Sequence, residues 1–342
     1  MMGMNADLLV ITANMFPLAT GSVRTAVLVI PKADLLAGSI SDMTLFEDLD
    51  LNTTGFSPQP IVDLDNGSSP LILLSAYNKH TGLLKISSIG GTPSNPTLDT
   101  LDGFIDVSPR GSPPDVDQPG PKADVAAGGT HFRTNVVKIH VAGRTNPSLW
   151  AAHGVDIGGK AAIEWYEIDA VANTILQSGT IADATTAYNY PSIAVNVIGD
   201  VVIGCSGGSP TQFMSSYAFV GVTTGASTTF SSALLLQEGN ADYELIDGIG
   251  RNRWGDYSAT MVDPYAPATF WTIQEFVVSE DVWSTQITQI VPDGAEPGDR
   301  WLLDYPVADT EWLLRTAPAH RTVSPCSRST ISTTSRRSKS TA

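Results

Sequence analysis

Residues 136–180 read VVKIHVAGRTNPSLWAAHGVDIGGKAAIEWYEIDAVANTILQSGT, and this stretch decides the fold. Gly, Pro and Asn divide it into four β-rich runs: Val136 to Val141, Leu149 to Val155, Ala161 to Ile168 and Ile175 to Thr180. Each run has the length of one sheet strand and the breaks have the length of hairpin loops, so the stretch predicts a four-stranded antiparallel unit.

Outward from this unit the same plan recurs. A strand ends in a small or turn-forming residue, a short Gly/Pro turn follows, and a second strand begins. It is seen in GMNADLLVITANM, PIVDLDNGSSPLILLSAYN, VVKIHVAGRTNPSLWAAHGV, YPSIAVNVIGDVVIGCSGG and DYSATMVDPYAPATFWTIQEF. The residues that open these turns are Asn5, Asp65, Ala142, Asn196 and Asp263, spaced 54 to 77 residues apart, which suits a four-stranded unit with loops. The widest gap holds the Pro-rich loop Pro109 to Pro121. Helical periodicity is confined to a turn around Lys32 to Ala37.

The expected architecture is all-β: a β-propeller of five four-stranded blades, in which each small sheet buries its faces only against its neighbours. A sixth blade stays open. Trp301 to Tyr305 offers a strand to close the ring, and the first unit begins almost at Met1, so the first blade can be incomplete, with a strand or blade upstream. A pair of β-sandwich domains also gives short strands with regular turns, but the long repeat favours the propeller.

Composition agrees with one folded body. The chain has 342 residues, 42% hydrophobic and 16% charged, enough for a sizeable core. Residues 1–315 form the expected propeller domain. Residues 316–342 are rich in Ser and Thr and hold five of the 19 basic residues with no acid, a composition expected to stay disordered. The body keeps 14 basic against 35 acidic residues, a charge of −21, and the whole chain carries −16. That sign repels a phosphate backbone, so no nucleic-acid partner is expected. No apolar run is long enough to span a bilayer, and the N-terminus lacks the basic head and apolar stretch of a signal peptide. Cys205 and Cys326 lie far apart without metal-type neighbours and suggest neither a zinc site nor a framework disulfide.

The strings RWGDYSATMVDPYAPATFWTIQEF (Arg253 to Phe276) and YPSIAVNVIGDVVIGCSGGSP (Tyr190 to Pro210) resemble those of bacterial, usually secreted, sialidase-like β-propeller proteins. GGKAAIEWYEIDAVANTILQSGTI (Gly158 to Ile181) and the opening NADLLVITANMF are similar to the same group, so the likeness runs through residues 3 to 290. It implies the blade architecture, an extracellular or cell-surface location and a Gly-Asp-Tyr turn, here Gly255, Asp256 and Tyr257. The chain departs from sialidases in two ways. It has no Ser-x-Asp-x-Gly-x-Thr-Trp turn, and the eight arginines of its body do not fall at equivalent positions of successive units.

A retaining glycosidase of this type needs an activated nucleophile, a proton donor and fixed positive charge. The candidate catalytic residues are Arg253, Asp256, Tyr257 and Glu275, of which the first three stand together where the fifth unit begins. Arg133 approaches the third unit at an equivalent point, and the candidate ligand-binding residues are Arg133, His131, Trp254 and Tyr190. Against this, Arg253 and Asp256 can simply pair while Trp254 packs between blades. Further aromatic residues, Trp150, Trp165, Tyr166, Tyr188 and Trp271, lie mostly on expected strands and read as core.

No cofactor is expected. The acid-rich turns Asp63 to Gly67 and Asp115 to Asp117 offer oxygen ligands that suit Ca²⁺, but neither completes an EF-hand loop, and turn punctuation explains both. The five histidines show no zinc spacing, and P-loop and Gly-x-Ser-x-Gly patterns are missing. The sequence therefore favours an extracellular or cell-surface propeller that binds a glycan or another surface ligand at its channel mouth. A sialidase-like exo-glycosidase is the alternative, and a purely structural display domain is the second.

Overall fold

The computed structural model of the chain describes residues 1–292, apart from 19, 69, 79–81 and 257, together with the strands at 301–306 and 313–316. The protein is all-β, built from five consecutive antiparallel meanders.

The first unit comprises β1 (Met2–Met4), β2 (Leu8–Met15), β3 (Arg24–Pro31) and β4 (Thr44–Asp50). A short helix α1 (Lys32–Ala37) interrupts it where the sequence shows its one helical turn, and α2 (Leu51–Thr54) follows β4. The second unit is β5 (Gln59–Asp63), β6 (Leu71–Asn78), β7 (Leu83–Thr92) and β8 (Asn95–Asp106). The third is β9 (Val136–Ile139), β10 (Ser148–Ile157), β11 (Lys160–Asp169) and β12 (Thr174–Ile181), close to the four runs of the opening stretch.

The fourth unit has β13 (Ala187–Val195), β14 (Asp200–Ser209), β15 (Gln212–Thr224) and β16 (Ser227–Phe230), with β17 (Leu234–Gln237) also pairing with β15. The fifth has β18 (Ala259–Val262), β19 (Phe270–Ser279), β20 (Val282–Ile290), β21 (Trp301–Pro306) and β22 (Leu313–Thr316).

Asx turns set the repeat. The Asn5 side chain accepts from the amides of Asp7 and Leu8, Asn196 from those of Ile198 and Asp200, and Asp263 from those of Tyr265 and Ala266. In the second unit Asp63 accepts from the Asp65 amide. Each of these carboxamides or carboxylates closes the turn between the first and second strands of its unit.

The first strands of three units lie side by side. β1 runs parallel to β5 at Met4 and Val62, and β5 runs parallel to β9 over Ile61 to Asp63. Gly3 permits this approach, because a Cβ there would fall against the Pro60–Ile61 peptide. Successive units then pack face on face. Leu8, Val10, Val27 and Val29 of the first meet Leu73, Ile86 and Val136 of the next two. The stacked indoles of Trp150 and Trp165 meet Tyr188, Ile203 and Phe219 of the fourth. Phe270 and Ile290 of the fifth close on Ala194, Val202 and Ala218. The middle units are thus buried on both faces: all ten residues of β14 and the first eight of β10 are buried.

Two expectations need correction. The first unit is a full four-stranded meander rather than an incomplete one, since β1 supplies its first strand by pairing with β2 over Met2 to Met4. Trp301 to Tyr305 does not close a ring: β21 pairs with β20 and β22 and extends the fifth sheet. No sheet closes on itself, and among the described residues no strand pairing joins the first unit to the fifth. The expected tail lies outside the described residues beyond Thr316.

Candidate functional site

Two long connections build the site. One runs from β8 to β9 (107–135) and the other from β17 to β18 (238–258), and they are stitched together edge to edge. Val125 bridges Val116 on its own loop and Asn252 on the other. The buried Asn252 side chain accepts from the Leu245 amide at 2.7 Å and donates to the carbonyls of Ala123 and Tyr243. Gln118 does the same from the opposite loop, donating to Ala123 and Tyr243 and accepting from the Tyr243 amide. At the rim, Lys122 gathers Asp242, Glu280 and Asp281 within 3.2 Å.

This clamp sets the two arginines on either side of one carboxylate. Arg133 Nη1 donates to Asp256 Oδ1 at 2.6 Å, while Arg253 Nη2 donates to Asp256 Oδ2. Arg133 is held further by the Gly128 carbonyl, which its Nε reaches at 3.2 Å, and Arg253 lies 3.9 Å from Asp247. The three side chains are partly open to solvent, at 17%, 36% and 26% for Arg133, Arg253 and Asp256.

Tyr190 supports the pair from below. Its ring lies 5.2 Å from the Arg133 guanidinium carbon, within cation–π range. The backbone is shaped for this: Tyr190 sits at φ 51°, in the left-handed region, where the β13–β14 register breaks between Asn189 and Ser192. Ser258 Oγ and Thr134 Oγ1 hold the carbonyls of Tyr190 and Pro191 from the two loops.

Glu275 completes the group. Its carboxyl lies against Gly255, whose backbone N–H donates to it, and a Cβ at Gly255 would overlap the carboxyl. Burial pushes Glu275 up to about 7; the Gly255 hydrogen bond opposes this, and the neighbouring Asp256 charge adds to it.

Of the residues singled out in the sequence, Arg133, Arg253, Asp256, Glu275 and Tyr190 therefore come together. Tyr257 lies outside the described residues. Trp254 has another place: it is 3% exposed, packs edge-on against Tyr243 at 5.1 Å, and belongs to a buried cluster with Val116, Val125 and Met214. It is a packing residue of the site's floor rather than a surface for ligand. His131 meets the Phe56 ring edge-on at 5.1 Å. Burial first, then Arg133 and His153, pushes it down to about 3, so it is neutral near pH 7.

A second polar group was not foreseen. Arg110, in the Pro-rich loop, donates to Glu164 at 3.4 Å; Tyr166 donates to the other oxygen of Glu164 at 2.8 Å, and His153 lies 2.9 Å from the Tyr166 hydroxyl. These residues line a cleft between the second and third units with about 20 Å³ of free space, room for a water or two. Burial pushes His153 down to about 4 and Tyr166 well above the usual phenol range. The sequence signal was the spacing of Glu164 and Tyr166, which puts them on one face of β11 opposite His153.

The acid-rich turns use their oxygens within the fold. Asp63 pairs with Lys138 at 2.8 Å as well as closing its turn, and Asp65 accepts from the His140 amide. Asp115 accepts from the Ala127 amide. No group of three or more metal-ligating side chains occurs among the described residues.

No family model and no curated protein matches this chain.

Proposed function

We propose that this chain is a binding module with β-propeller architecture, working outside the cell or at its surface, and that it holds a glycan at the Arg133–Asp256–Arg253 group. The observation that carries the reading is the meeting of two arginines, from the approaches to the third and fifth units, on one carboxylate beside Glu275. Segments leading into non-neighbouring units meet in this way when the units are blades whose first strands surround a common axis. The side-by-side first strands and the face-on packing of successive units support the same arrangement.

The chemistry of the group suits a hydroxylated, largely neutral ligand. Guanidinium N–H groups donate, Asp256 accepts, and Glu275 near neutral pH can do either, which matches the paired donors and acceptors of neighbouring sugar hydroxyls. Asp256 already compensates both arginines, so a strong anion finds less free positive charge than two open arginines would give.

A glycan array, followed by calorimetry on the best ligand, tests this. The wild type should bind, and Arg253→Lys should lose roughly tenfold or more in affinity, because an ammonium cannot reproduce the fork. An array without ligands, or an R253K protein that binds as the wild type does, would overturn the reading.

Glu275 favours one second reading. Two carboxyl groups in unlike settings, one paired with arginines and one raised towards neutrality by burial, are the pattern of a glycosidase acid and its partner. An exo-glycosidase would release aryl alcohol from fluorogenic glycosides and lose that activity in Glu275→Gln; wild-type inactivity on a broad glycoside panel would remove this alternative.

A further inference from the structure

The Arg133–Asp256–Arg253 group supplies donors and acceptors. A pyranose, however, has a face of C–H groups as well as an edge of hydroxyls, and a site that holds one meets both. Tyr190, beneath the group, and Trp254, next to Arg253 in the chain, are 5% and 3% exposed, so neither offers its ring to a ligand. The apolar contact lies instead on the adjoining hairpin of residues 245–253.

The register of this hairpin fixes which side chains share a face. Ile246 pairs with Asn252, the Asp247 amide donates to the Arg251 carbonyl, and the Arg253 amide donates to the Leu245 carbonyl. Leu245, Asp247, Arg251 and Arg253 therefore stand on one side, and Ile246 shares the other with Asn252. Leu245 is directly opposite Arg253 and is 55% exposed. Asp247 accepts from Arg251 Nε at 2.9 Å and lies 3.9 Å from Arg253 Nη1, while its other oxygen closes the turn by accepting from the amides of Ile249 and Arg251. The alternating series Arg251, Asp247, Arg253, Asp256, Arg133 thus runs without a break from the hairpin into the group. Three of the eight arginines of an acidic body meet in it.

We propose, resting on the glycan reading of the arginine group, that this side of the hairpin is a second sugar subsite continuous with the first. The ligand is then an oligosaccharide of at least two neutral units rather than a single terminal sugar. The C–H face of the second unit lies on Leu245. Its hydroxyl edge meets the Asp247 carboxylate and the Arg251 guanidinium, which set an acceptor beside a donor as Asp256 and Arg253 do. Two carboxylates among three guanidiniums leave little free charge for an anion, so an uncharged chain fits the series better. The subsite is also stiff before a ligand arrives. The Asp247 turn and the 2.7 Å bond from the Leu245 amide to the Asn252 side chain hold its backbone, and little ordering entropy is lost on binding.

The gluco-, manno-, galacto- and xylo-oligosaccharide series, from one to four units, test this by saturation-transfer NMR titration for weak members and calorimetry for tight ones. In a series that binds, the wild-type dissociation constant should fall about tenfold from one unit to two. Leu245→Ala and Arg251→Gln should each lose most of that step, so that one-unit and two-unit sugars bind alike. Ile246→Ala, on the opposite side of the same hairpin and 47% exposed, should keep it, which separates contact with the sugar from damage to the hairpin. A wild type with no step between one unit and two, a full step in L245A or R251Q, or an equal loss in I246A would overturn the second subsite and leave the arginine group as a single-sugar site. Absence of binding to every series would overturn a neutral chain as the ligand; if the glycan array is blank as well, the glycan reading of the arginine group fails with it.

Discussion

Glu275 shows how one residue can tie the site to the stability of the fold. Its carboxyl is raised from an ordinary value of 4.5 to about 7, chiefly by burial. A raised folded-state value means that the native protein keeps a proton which the unfolded chain gives up. The associated stability is fully present below about 4.5 and is lost as pH rises through about 7. Over that window the wild type should weaken by up to about 3 kcal/mol relative to Glu275→Gln, which cannot ionise. Denaturant titrations of both proteins at pH 4.5, 6 and 8 check this; parallel pH profiles would mean that Glu275 is not held in its neutral form. The sequence put Glu275 on the same side of β19 as Trp271 and Ile273 and left open whether it met solvent or a channel. What decides is Gly255, whose bare Cα and N–H lie against the carboxyl. That contact joins residues twenty apart in the chain, and no local pattern reveals it.

At the scale of elements, strands and loops were legible to different degrees. The hairpins of the third and fourth units could be read closely because each strand is bounded by turn chemistry that acts locally, as at Asn196 of the fourth, whose side chain bonds amides two and four residues on. The loops 107–135 and 238–258 gave no such signal. Their order comes from Asn252 and Gln118, which satisfy backbone groups on the partner loop. Asn and Gln in a loop look like any solvated polar residue until the two loops are brought together. Asn252→Ala would take the acceptor from the Leu245 amide and leave the carbonyls of Ala123 and Tyr243 to Gln118 alone, and should cost roughly 1–3 kcal/mol. Because Arg253 follows directly and is anchored through its own amide to Leu245 O, ligand affinity should fall as well. The change in denaturation midpoint, measured beside binding, reads both effects. An unchanged midpoint would show that the loops are held by Lys122 and the apolar contacts of Val116 and Val125 instead.

The whole molecule follows from repetition, which is why its class could be read from a spacing of turns while its ends could not. A repeat predicts what each unit does to its neighbour; it says nothing of the first and last, where a neighbour is lacking on one side. The middle units, sealed on both faces, have strands such as β10 and β14 that are buried almost throughout, whereas β2 and β20 alternate buried and open positions. Stability should therefore fall from the centre of the series outward, since each end unit has only one interface to hold its strands. Native-state hydrogen exchange tests the gradient. Amides of β10, β11, β14 and β15 should exchange only with global unfolding, while those of β2, β3, β19 and β20 should open earlier by local loss of an end unit. Equal protection in every unit would instead mean that the five meanders unfold as one cooperative body, with the polar clamp between the two long loops, rather than the stacked faces, setting the limit.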